Sequence, residues 1–204
     1  MEVTLDSASD TVGSEAMSET GQTLTTLFGL LAIVSNIAVV AFLVIALVAR
    51  FSRAAADLRD RVWDRVGEVA LPLAAIVALT ATLGSLYYSE VQNLIPCTLC
   101  WYQRIAMYPL PLLLAIAAWR QDRDVWHYVL PMALIGAAIA GYHYQLEWFP
   151  EQGSGACSLV TPCNVIPFAR KFGFITLAYM ALSGFLLIAA LTWIAKQTAH
   201  VEED

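Results

Sequence analysis

Apolar residues in this chain come in long blocks rather than in alternation. Three runs carry no charged side chain: Leu24 to Ala49, Val69 to Ser89 and Phe172 to Ala195. Each reaches the roughly 20 residues that a helix needs to cross the hydrocarbon core of a bilayer. Two weaker segments lie between the second and third runs. One is uninterrupted only from Ile105 to Ala118, contains Pro109 and Pro111, and attains spanning length if it begins near Cys100. The other holds Pro131 inside and His143 near its end. The pattern predicts five spans, at about 24–49, 68–89, 101–119, 126–146 and 172–195. The expected fold is therefore an all-α membrane protein.

Composition agrees. The chain has 204 residues, 59% of them apolar and 14% charged, where a soluble domain carries about 25% charged residues. Three charge-free runs are hard to bury in one small soluble core. Residues 1–22 contain five acids and no Lys or Arg in a Ser/Thr/Gly-rich context. They read as a disordered acidic tail without the basic n-region of a secretory signal peptide. No pattern points to nucleic acid.

Charge placement predicts orientation. Arg50, Arg53, Arg59, Arg61 and Arg65 precede the second span, Arg120 and Arg123 separate the third from the fourth, and Lys196 follows the fifth. With five spans these eight cations share one side, which the positive-inside rule assigns to the cytoplasm. The N-terminus and the 90–100 and 147–171 loops then lie outside, with Arg170 and Lys171 as the two exceptions. Leu58, Val62, Val66 and Val69 recur at helical spacing in the basic segment. It is expected to be either a surface helix with Trp63 at the interface or an extension of span two.

The four cysteines, Cys97, Cys100, Cys157 and Cys163, all fall in the expected outer loops. Disulfides persist outside the cytosol, and neighbouring pairs can exchange them. Two inert bridges are one reading. A four-thiolate zinc site is another, disfavoured by the unequal Cys-x2-Cys and Cys-x5-Cys spacing. Position favours reactivity: Cys100 stands at or just before the first turn of span three, where unpaired N–H groups and the helix dipole favour a thiolate. Arg104 lies one turn on, on the same face. It either snorkels to headgroups or serves a ligand's carbonyl oxygen. His143, between Tyr142 and Tyr144, is either an aromatic-belt residue or a donor and proton relay at the same site. Val160, Val165, Ile166 and Phe168, around Pro162 and Pro167, give the last outer loop an apolar surface for a partner or for the membrane.

The segments IPCTLCWYQRIAMYP, GYHYQLEWFP and FGFITLAYMAL, with a two-cysteine loop between the last two, resemble the disulfide bond formation protein B family and its BdbC-type members over about residues 72–195. The resemblance implies a four-helix transmembrane bundle at 68–196. It follows an additional N-terminal transmembrane helix at 23–50 and a cytoplasmic basic loop at 51–67, and precedes a cytoplasmic tail at 197–204. It further implies a plasma-membrane thiol oxidase that takes electrons from a thioredoxin-like extracytoplasmic dithiol oxidase and delivers them to a membrane quinone, ubiquinone or menaquinone. Cys97 and Cys100 match the dithiol beside the quinone, with Cys100 meeting the ring. Arg104 and His143 match quinone-site residues. Cys157 and Cys163 match the partner-facing pair, Cys157 forming the mixed disulfide and Cys163 linking to Cys97. The extra helix departs from the family pattern, as does the tight Cys157–Cys163 loop. Competing readings are a quinone reductase of the vitamin K epoxide reductase type, whose active dithiol belongs in the fourth core helix, and a scaffold with two structural disulfides.

Overall fold

The structure, a computed structural model, describes residues 19–152 and 173–202, with the backbone alone for 199–202. Every regular element among the described residues is helical: α1 (Glu19–Val48), α2 (Arg53–Leu86), α3 (Thr98–Met107), α4 (Pro109–Arg120), α5 (Trp126–Trp148) and α6 (Leu177–Glu202). α1, α2, α5 and α6 are each long and apolar enough to cross a membrane. The weak third span is α3 and α4 together. Only Tyr108 separates them, still helical at φ −63° and ψ −33°. The break is chemical: Pro109 has no N–H to donate to the preceding turn. The chain is an all-α membrane bundle, and side chains such as Ile37, Val40 and Leu112 face outward where lipid would cover them.

Of the two readings of the basic segment, the structure bears out the extension of span two rather than a separate surface helix. α2 runs unbroken through 34 residues, about 50 Å, well beyond a hydrocarbon core of about 30 Å. Its first turns are packed: Trp63 is buried and stacks on Phe42 of α1 with ring centroids 4.9 Å apart. A Cβ at Gly67 would collide with Thr198 of α6. α6 starts at Leu177 rather than 172. Gly173, at φ +79°, is in the left-handed region that a right-handed helix cannot use, and the Thr176 hydroxyl accepts from the Tyr179 N–H at 3.2 Å.

The core follows from size. Lipid tails are as apolar as leucine, so membrane helices associate through close packing and hydrogen bonds rather than a hydrophobic drive. Ala70, Ala74 and Ala78 of α2 and Ala133 and Ala140 of α5 are fully buried and let backbones approach. Phe185 of α6 fills the space left by Gly136 of α5, where a Cβ would strike the ring. Helix ends converge at one end of the bundle: Arg123 donates to Thr198 Oγ1 at 2.6 Å, and the Lys196 ammonium sits 3.6 Å from the Trp126 ring centroid. The basic residues at the start of α2 and between α4 and α5 therefore share one end of the bundle, and the start of α3 lies at the other.

Gly136→Leu should lower stability by about 1–3 kcal/mol, the cost of overpacking a tight core, with Phe185→Leu restoring part of the loss. Thermal midpoints of the purified single and double variants check this.

Candidate functional site

α2 leaves the membrane through a π-helical turn, Tyr87–Val91, in which Tyr88 is buried. Asn93, at φ 53°, then reverses the chain, and Pro96 delivers Cys97 in extended conformation at φ −69° and ψ 170°. That conformation makes Cys97 the N-cap of α3. Its sulfur accepts the Cys100 backbone N–H at 3.2 Å, in the manner of a capping oxygen. The Cys100 sulfur is 2.6 Å away. On the far side, His143 Nε2 of α5 approaches Cys97 Sγ at 3.7 Å. His143 Nδ1 meets Gln103 Nε2 at 3.0 Å. An amide nitrogen only donates, so Nδ1 accepts and the imidazole proton sits on Nε2, directed at the sulfur.

These contacts decide which sulfur is charged. The sequence places the anion on Cys100; the structure places it on Cys97. The hydrogen bond from Cys100 is the largest cause and outweighs burial; His143 and the Cys100 N–H add to it, and the Cys97 thiol is pulled down to about 4. Position adds a smaller effect: the residue before a helix, not the one in its first turn, receives a free N–H.

Arg104 does not reach out to headgroups. Its Nε donates to Ser85 Oγ and its Nη2 to the Ser85 carbonyl, both at 3.0 Å, and Trp101 covers it at 5.4 Å. Among the described residues Nη1 has no protein acceptor. Cys100, Gln103, Arg104 and His143 all line one apolar groove of about 770 Å³; Cys97 does not. Cys100 is thus the sulfur that faces the groove, and Cys97 is buried behind it at 7% exposure. Cys157 and Cys163 lie outside the described residues, as does the apolar loop around them.

The donor set Cys97, Cys100 and His143 falls within 4.8 Å and is of a type that zinc accepts. Two thiolates on one tetrahedral zinc stand about 3.8 Å apart, given Zn–S bonds of about 2.3 Å. Sulfurs at 2.6 Å have the geometry of a dithiol instead. Sequence reasoning brought Cys97, Cys100, Arg104 and His143 to one site, and the structure groups all four. It missed Gln103 and Ser85. Gln103 sits beside Arg104 in sequence, but its partner is on another helix, and Ser85 reads as an ordinary small residue in an apolar run.

Residues 67–195 match the family model described as disulfide bond formation protein DsbB. The chain is 48% identical over 122 residues to disulfide bond formation protein C of Bacillus subtilis, covering 59% of this chain and 88% of the relative. A probable disulfide formation protein C 1 of Bacillus cereus is 44% identical over 132 residues, 64% of this chain and 94% of its own. A probable disulfide formation protein of Oceanobacillus iheyensis is 47% identical over 119 residues, 57% and 81% respectively. No solved structure matches. Together with a capped dithiol at the mouth of a membrane helix, the match establishes that this chain belongs to the DsbB family of disulfide bond formation proteins.

Proposed function

We propose that the chain is a membrane thiol oxidase that reoxidises a thioredoxin-like extracytoplasmic oxidase and passes the electrons, through two cysteine pairs, to a membrane quinone. The observation that carries this reading is the division of labour within the dithiol. One sulfur caps the helix and meets His143, and the other opens onto an apolar groove beside a guanidinium. The basic end of the bundle is cytoplasmic in this reading, so the dithiol faces outward, where disulfides persist.

The groove residues suit a quinone. Its ring carbonyls need donors, and Arg104 offers Nη1 while Ser85 fixes the rest of the guanidinium. Its apolar faces need apolar walls, and Pro96 and Met107 supply them near Cys100. When bound, a quinone accepts two electrons and two protons. The chain's part is to release them. In the reduced pair Cys97 is the thiolate and Cys100 carries the proton. Closing the Cys97–Cys100 disulfide gives up two electrons and that one proton, and a second proton enters from water at the outer mouth. His143, held in one tautomer by Gln103, stabilises the Cys97 anion until the bond forms.

The upstream half is thiol–disulfide exchange. A partner thiolate attacks Cys157 of the Cys157–Cys163 disulfide. The partner's second thiol displaces Cys157, so the partner leaves oxidised and the loop pair is reduced. Cys163 then attacks Cys97 of the Cys97–Cys100 disulfide, and Cys157 resolves the link. The loop pair is again oxidised and Cys97–Cys100 reduced, with two electrons moved at each stage.

Purified full-length chain, mixed with a reduced thioredoxin-like partner and a soluble quinone, should consume one quinone per partner disulfide formed, read by the quinone's ultraviolet absorbance. Folded protein that consumes none contradicts the oxidase reading. Cys100→Ser should abolish quinone consumption while the chain still inserts into membranes; retained turnover would leave the pair a purely structural role. Arg104→Ala should raise the KM for quinone roughly 10- to 100-fold, the scale of a lost charge-assisted hydrogen bond, with exchange between partner and cysteines preserved. Unchanged quinone kinetics would remove Arg104 from the site.

A further inference from the structure

α1 lies wholly before the residues that match the family, 67–195, and its manner of attachment is informative. It touches α2 and the π-helical turn that follows it at two places far apart. Near the outer end Thr25 Oγ1 and the Tyr88 hydroxyl share a hydrogen bond at 2.9 Å, and the Phe28 ring lies over Gly84, where a Cβ would come within 3.0 Å of it. Near the inner end Phe42 stacks on Trp63. Midway, α1 turns its polar contact to α6 instead: Asn36 Nδ2 donates to the Tyr179 hydroxyl at 2.8 Å and to Ser183 Oγ at 2.7 Å. Such bonds hold membrane helices together. They anchor α1 to α6 and leave α1 and α2 apart between their two contacts.

The space left there is the groove that reaches the dithiol. It runs from Cys100 and Arg104 to Trp63 and Ile194, walled midway by Val39 of α1 and Val77 of α2. Along α2 the distance from Ser85 to Trp63 is 22 residues, about 33 Å, close to the thickness of a hydrocarbon core. Arg104 is the sole Lys, Arg, Asp or Glu among the residues lining it, and it sits at the dithiol end. A ligand that fits has one polar, redox-active end and a long apolar remainder. The groove is far larger than one ring requires.

We propose that α1 forms a wall of a channel for the polyprenyl tail of the quinone, holding the tail alongside α2 with the ring at Cys100 and the tail end near Phe42 and Trp63. This rests on the quinone reading above and assigns a role to the helix that the family match leaves out. α1 adds nothing to the sulfur chemistry itself. Its contribution is to turn a lipid-facing furrow on α2 and α6 into a guided path, so that an acceptor is selected by its tail as well as by its ring. An acyl chain of a phospholipid has the same apolar chemistry but lacks the redox end that the dithiol faces, so the tail of the acceptor is the occupant argued here.

The test uses full-length protein in lipid nanodiscs and a quinone whose polyprenyl tail ends in a diazirine. After illumination, mass spectrometry should find the label on peptides containing Phe42 or Trp63. An excess of unlabelled polyprenyl quinone should reduce that label about tenfold, an amount equivalent to about 1.4 kcal/mol of competition, while a tail-less quinone or added phospholipid should not. Label found only on outward-facing residues such as Ile37 or Leu112 would overturn the proposal. So would groove label displaced equally by phospholipid, which would make the groove a lipid site. The label reports where the tail lies whether or not electrons move. A chain that takes groove label yet reduces no quinone refutes the oxidase reading alone. A chain that reduces quinone without groove label refutes the channel alone.

Discussion

The site depends on one sulfur replacing the oxygen that ordinarily caps a helix. Cys97 stops α3 from beginning one residue earlier and takes the Cys100 N–H that the helix leaves unpaired. The same contact that defines the helix start places a negative charge where backbone dipoles favour it. Because Cys100 is in the first turn, the capping geometry also brings its sulfur against Cys97. Helix initiation and dithiol chemistry are therefore a single local structure. The Pro96 that precedes it and the Gln103–His143 pair behind it serve to keep that structure in one arrangement.

The rest of the bundle is arranged around this corner. α5 brings His143 to the sulfur from one side, and α2 brings Ser85 to Arg104 from the other. Both side chains reach α3 because α2 and α5 each pack against it. Among the described residues Cys100 lines the groove and Cys97 does not. In the proposed mechanism this keeps the two electron-transfer steps apart, since Cys97 exchanges with the outer loop and Cys100 meets the acceptor.

Much of this was legible in the sequence. The spans could be read because a helix must remain apolar over a membrane's thickness, a signal that survives without knowledge of packing. The grouping of Cys97, Cys100 and Arg104 could be read because helical spacing fixes which residues share a face. What sequence could not supply was anything decided by a second helix. Trp63 reads as an interfacial residue, yet it is buried because Phe42 stacks on it. Gln103 and Ser85 gain meaning only when His143 and Arg104 arrive beside them. Hydrogen bonding favours the charge on Cys97 over Cys100 for a subtler reason. Arg104 acts on Cys100, but the cap is one turn earlier, and the contacts between the two sulfurs outweigh a cation held by Ser85.

The chemistry of the site depends on Cys97 being an anion in the reduced protein. The most direct measurement is the thiolate absorbance of the reduced Cys157→Ser/Cys163→Ser variant as a function of pH, compared with the same variant carrying Cys97→Ala. One thiolate per molecule should persist as pH falls and disappear only near pH 4, and it should be missing at neutral pH when Cys97 is replaced. Absorbance that develops only as pH rises through about 8–9, the range of an ordinary thiol, or that survives the loss of Cys97, would contradict it.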